Sequence, residues 1–135
     1  IVHFSGHGSD NDELVLMDNN SNTKLVSMAS IVHAMSVANE NLRLVFFNTC
    51  HSHNQASNVI EHIECAIGMN ASITDDAAQV FSAQFYSSLG FGLSVEKSFN
   101  QAKAALMLEG ISEENTPALF VKAGCNASEI CIVAE

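Results

Sequence analysis

Four apolar runs of strand length punctuate the chain: Ile1 to Ser5, Leu42 to Asn48, Glu64 to Met69 and Ala118 to Lys122. They are nearly continuous rather than alternating, which is the pattern of strands covered on both faces. The segments between them have helical spacing, so the chain predicts an α/β fold built on a mainly parallel sheet flanked by helices. Glu13 to Met17 and Thr23 to Val26 flank the turn-rich stretch Asp18-Asn19-Asn20-Ser21-Asn22 and read as a small hairpin.

A helix from about Ser30 to Ala38 returns the chain to the second run, and a shorter one, Gln55 to Ile63, crosses to the third. The strongest helix signal follows. Thr74 is the N-cap candidate, Asp75 and Asp76 stand in the first turn, Ala77, Phe81 and Phe85 recur at i, i+4, and Gly90 ends the pattern. A second helix begins after the N-cap candidate Ser94, carries Val95, Phe99, Ala102 and Leu106 on one side, and stops at Gly110. Pro117 opens the last core strand. Ile130 to Ala134 is a fifth apolar run, either an edge strand or a tail docked on the sheet.

Composition narrows the function classes. At 135 residues and 47% hydrophobic content the chain reads as one domain spanning 1–135 with a real core. Fifteen acids against five bases give a net charge of −10, and Arg43 is the only arginine, so a phosphate-binding surface for nucleic acid is hard to build. The acids are scattered, as on a solvated face. Cys50, Cys65, Cys125 and Cys131 lack CxxC spacing, which favours a reducing, cytoplasmic setting. No run approaches a membrane span of ~20 residues and no signal segment opens the chain. Ile1 to Phe4 reads as a strand with no lead-in, so preceding residues are expected in the natural polypeptide.

Two of the apolar runs end on reactive residues. Ile1-Val2-His3-Phe4-Ser5-Gly6-His7-Gly8 stops at a histidine between glycines, and Leu42 to Asn48 runs into Thr49-Cys50-His51-Ser52. In a parallel sheet the carboxyl ends of neighbouring strands share one edge, so His7 and Cys50 can meet there. A thiol beside an imidazole is a nucleophile beside its base. The backbone N–H groups of Gly8 and Cys50 sit where such strands end and could form an oxyanion hole, where losing one donor typically costs about 10²–10³ in rate.

These two motifs resemble the caspase-like cysteine peptidases, and most of all the CHAT domains, relatives of separases and metacaspases found largely in bacteria. Supporting positions are the hairpin Glu13 to Val26, Ile67-Gly68-Met69-Asn70-Ala71 before Asp75-Asp76, the run Phe81 to Tyr86, and Pro117-Ala118-Leu119-Phe120-Val121. The resemblance spans roughly residues 1 to 124. It implies His7 as general base, Cys50 as nucleophile and Gly8 at the oxyanion hole, no cofactor, a protein or peptide substrate, and an upstream regulatory domain or partner. Three departures stand out: the strand, helix, strand unit that precedes the His-Gly strand in that fold is missing, the Gln-Ala-Cys signature is absent, and residues 125–135 form an extra tail.

Specificity is read from charge. Arg43 begins its strand, far from the carboxyl edge, so selection of aspartate is not expected. Asp75 or Asp76 could accept a basic side chain at the residue preceding the scissile bond, with helix N-terminus stabilisation as the plainer role. Ser5 and Asn48, at the strand ends, are further substrate-contact candidates. Metal binding is not expected, because adjacent ligands on a strand end point to different faces. His3 reads as a packed strand residue, and His51 and His53 as loop residues rimming the site. Cys65, Cys125 and Cys131 read as structural thiols.

The leading expectation is therefore a cysteine endopeptidase. One rival is a non-catalytic interaction module of the same fold, whose unpaired edge could join another chain, including a second copy of itself. A generic ligand-binding domain is weaker, since no Gly-rich phosphate loop follows any strand.

Overall fold

The computed structural model describes residues 1–8, 13–17, 20, 22–38 and 41–133. Its main sheet has the order β1 (Val2–Ser5), β5 (Leu44–Asn48), β6 (Cys65–Met69), β7 (Pro117–Val121). β1 and β6 run parallel to β5, whereas β7 is antiparallel to β6. The sheet is thus mixed and mostly parallel. The reversal follows from helix parity: β6 is followed by two helices, α3 (Asp75–Gly90) and α4 (Val95–Leu108), joined by a short connection. The second helix brings the chain back to the edge that the first one left, so the next strand runs the other way.

A separate antiparallel sheet joins β2 (His7–Gly8), β3 (Leu14–Met17) and β4 (Thr23–Val26). The expected hairpin is therefore one part of a three-stranded unit, and the His-Gly pair belongs to it. Its turn residues Asp18, Asn19 and Ser21 lie outside the described residues. Gly6, at φ +142°, makes the break between β1 and β2 in a region open to glycine.

The continuous apolarity of β5 has a direct cause. Leu44 and Phe46 face a core shared with α3 and α4, while Val45 and Phe47 face one shared with α1 (Met28–Val37) and α2 (His53–Val59). All four are fully buried. Four aromatic rings, Phe81, Phe85, Tyr86 and His3, surround Phe46 on its side.

Local capping signals are realised with shifts. Ser27, rather than a residue nearer Ser30, caps α1, accepting from the Ser30 amide at 3.2 Å. α2 begins at His53 and ends at Val59, shorter and earlier than Gln55 to Ile63, and Ile63 packs in the core just beyond it. Thr74 and Ser94 cap α3 and α4 as expected. α3 ends at Gly90 as expected, and the glycine that takes the left-handed turn beyond it is Gly92 at φ +86°, with the Leu93 amide donating back to Ser88 O at 3.2 Å. Gly110 at φ +73° stops α4 in the same way, with Ile111 N–H on Leu106 O at 2.9 Å.

The C-terminal segment is not an edge strand of the main sheet. The carbonyls of Ile130 and Ala127 accept the Val95 and Glu96 amides at 2.8 and 3.1 Å, N–H groups that have no partner inside the helix. Ala127 and Ile130 are buried, Cys131 bridges Ser94, and Ala134 lies outside the described residues. Among the described residues no helix is long and apolar enough to cross a membrane.

Candidate functional site

The register of β1 on β5 sets Ser5 opposite Asn48. Each chain continues two residues past that pair, to His7 on one side and Cys50 on the other, so their backbones leave the same sheet edge from strands roughly 4.8 Å apart. His7 then pairs with Val15, and Gly8 with Leu14, in the second sheet.

Beyond β5 the chain turns sharply through Thr49, Cys50 and His51 into α2. His51 adopts φ +55°, an uncommon value for a residue with a side chain. Contacts that hold it there include its amide donating to Ala71 O at 3.2 Å and its Nε2 meeting Ser72 Oγ at 3.0 Å. Ser52 ties the turn from beneath. Its fully buried hydroxyl is shared between Phe47 O at 3.0 Å and Thr49 O at 2.7 Å, and accepts the Met69 amide at 2.9 Å. Gly68 makes room for this packing, since a Cβ there would lie 2.7 Å from both Ala56 Cβ and Ser52 O.

The Cys50 sulfur, partly buried, faces the segment that follows β6. The Ile73 amide donates to Sγ at 3.4 Å, and the thiol points to Ile73 O at 3.7 Å. Nearby opens a cavity of about 840 Å³ whose walls include Cys50, Ser5, Asn48, Asp75, His3 and Tyr86. Three of the four substrate-contact candidates are therefore brought together with Cys50. Asp76 is not; it is exposed in the first turn of α3 and does not line the cavity. Asn48 Nδ2 donates to Ser82 Oγ at 3.0 Å, while its buried Oδ1 has no hydrogen-bond partner among the described residues.

His3 departs from its expected place. It is exposed as a residue, with its ring laid against Phe46 at a centroid distance of 4.8 Å and its Nδ1 2.6 Å from the Tyr86 hydroxyl. Strand alternation places it on the same side as Ser5, toward α3, where the cavity lies. Burial holds the His3 imidazole below its ordinary value of 6.5 and pushes the Tyr86 phenol up to about 12, so the pair is neutral at pH 7. Because the unfolded chain protonates His3 more readily, this pair favours folding fully above about pH 6.5, and that advantage is lost as pH falls toward the lower folded-state value. The urea midpoint is expected to drop from pH 7 to pH 5, and to drop less in His3→Gln; equal drops in both proteins would remove His3 as the cause.

The other candidates scatter. His53 is the first residue of α2, not a loop residue, and its ring lies 5.3 Å from Phe120. His51 is on the turn but half-buried and committed to Ser72. Cys65 is buried in β6, where desolvation pushes its thiol up to about 12. Arg43 pairs with Glu64 at 3.0 Å at the opposite end of β5. Among the described residues no group of three or more His, Cys, Asp or Glu side chains is placed to hold a metal ion. Sequence reasoning missed Ser52, the Ile73 amide and the His3–Tyr86 pair; only Ser52, just after the cysteine, carried a local hint, as a polar residue opening a helix.

No protein-family model matches the chain, and no curated protein matches it. What fold and site define together is an α/β domain with a mixed, mostly parallel four-stranded sheet and a partly buried cysteine at the carboxyl edge of a central strand.

Proposed function

We propose that this chain is a caspase-like cysteine endopeptidase domain, nearest in its motifs to the CHAT group. The observation that carries the reading is the β1/β5 register, which leads His7 and Cys50 off one sheet edge beside a cavity that Cys50 lines. His7 takes the proton of Cys50, and the thiolate attacks the scissile carbonyl. The N–H groups of Gly8 and Cys50 receive the negative oxygen of the tetrahedral intermediate. Collapse forms an acyl thioester and expels the amine, which leaves with the proton from His7, and water then hydrolyses the thioester.

Asp75, on the wall shared with Cys50, suits a substrate with a basic side chain before the scissile bond. The step needs no cofactor. Four free cysteines are in keeping with a reducing compartment such as the cytoplasm, and control by an upstream domain or partner follows from the resemblance. The rival reading is a non-catalytic module of the same fold.

The test is the alkylation rate of each cysteine against pH, read by mass spectrometry, in the wild-type chain and in His7→Ala. Cys50 is expected to react faster at pH 7 than the exposed Cys131, and to lose that lead without His7. If Cys50 is no faster than Cys131 in either protein, the module without turnover is the better reading.

A further inference from the structure

We infer that Glu113, on the connection between α4 and β7, is a positioning residue for the Cys50 sulfur, acting through the peptide that joins Ile73 to Thr74. The inference rests on Cys50 being the nucleophile.

One planar peptide unit links the two residues. Its carbonyl, Ile73 O, faces the Cys50 thiol at 3.7 Å, and its amide, Thr74 N–H, donates to Glu113 Oε1 at 2.9 Å. In a trans peptide these two groups point in opposite directions, so gripping the amide orients the carbonyl. The Ile73 amide, which donates to Sγ at 3.4 Å, belongs to the preceding peptide unit and is joined to this one through the φ and ψ of Ile73, so Glu113 bears on it by anchoring the end of that segment. That donor gains strength when the sulfur is ionised, whereas the carbonyl suits only the thiol.

Glu113 holds the unit at two points. Its second oxygen accepts the Thr74 hydroxyl proton at 2.7 Å, leaving a lone pair of Thr74 Oγ1 to take the Ala77 amide at 3.2 Å. The connection carrying Glu113 is itself laced to the segment it orients: Asn70 N–H donates to Thr116 O at 2.8 Å, and Thr116 N–H to Glu113 O at 3.0 Å. A carboxylate near a developing thiolate works against it by simple repulsion. Both oxygens accept from neutral donors of Thr74, which leaves the charge in place, so the geometric gain must outweigh the repulsion, and Glu113→Gln, which keeps an acceptor and removes the charge, separates the two. A plainer role, bracing the start of α3, predicts lost stability and no change at the sulfur.

The experiment compares Cys50 alkylation at pH 7 and thermal stability in four proteins: wild type, Glu113→Ala, Glu113→Gln and Ser94→Ala. Ser94→Ala removes the equivalent cap of α4 and controls for stability alone. Glu113→Ala is expected to slow Cys50 about tenfold, the size of one lost hydrogen bond to a charged group. Glu113→Gln, which keeps an acceptor for Thr74 N–H, should restore the rate to within about threefold of wild type, and Ser94→Ala should leave it unchanged. Should Glu113→Ala not fold, Glu113→Asp, whose carboxylate falls one methylene short, takes its place with a smaller slowing.

If Cys50 is fast and dependent on His7 in the parent chain, yet unchanged or faster in Glu113→Ala or Glu113→Asp, the positioning role is overturned and the peptidase reading stands. If Cys50 is slow in the parent chain and indifferent to His7→Ala, the peptidase reading fails and takes this role with it.

Discussion

Replacing Cys50 by alanine is expected to lower hydrolysis of a peptide with Arg or Lys before the scissile bond by about 10⁴- to 10⁶-fold. On the proposed mechanism the loss is that large because the Cys50 sulfur forms the acyl intermediate; what survives is binding and oxyanion stabilisation acting on water. His7→Ala should cost nearly as much, and the double variant little more, since nucleophile and base act as a unit. Stability provides the control. Cys50 is only partly buried and its thiol makes long contacts of 3.4 and 3.7 Å, so its removal should shift the urea midpoint only slightly. A Cys50→Ala protein that hydrolyses the peptide at the parent rate ends the peptidase proposal, whatever its stability.

Phe46→Ala should cost about 3–5 kcal/mol of folding stability, a large part of the about 5–15 kcal/mol that holds a domain together. Phe46 is fully buried in the central strand. Its ring meets Phe81 and Phe85 edge-on at 5.8 and 5.5 Å and lies nearly parallel to Tyr86 at 5.9 Å. All three neighbours sit on α3, a 16-residue helix that cannot move in without breaking its other packing, so the void stays open and its lining loses contacts outright. Phe46→Leu, which refills much of the space, should cost less. Urea unfolding with an unchanged slope gives the measurement. A loss under about 1 kcal/mol for Phe46→Ala would mean that the core between the sheet and α3 is not packed as described.

Phe46 also shows where sequence reading ends. That Leu44 to Phe47 would be covered on both sides was legible from four consecutive apolar residues, and the caps Thr74 and Ser94 were legible because a hydroxyl bonding an amide three residues on is a local event. The pairing of the two reactive strand ends was legible too, because parallel strands share an edge. The end of α3 at Gly90 was legible as well, but two glycines lie close together there, and only backbone geometry tells that Gly92 takes the positive φ.

The chain by itself therefore determined an α/β fold, the order of its main-sheet strands and helices along the sequence, and which two strands run out toward His7 and Cys50, since these depend on local periodicity and capping. Tertiary structure alone decided the direction of β7, the place of His3 beside Tyr86, the hold of Ser52 on the Cys50 turn, and the meeting of Glu113 with Thr74. Each joins residues far apart along the chain, through helix parity or strand register, and a contact of that kind leaves no periodic trace in either partner's neighbourhood.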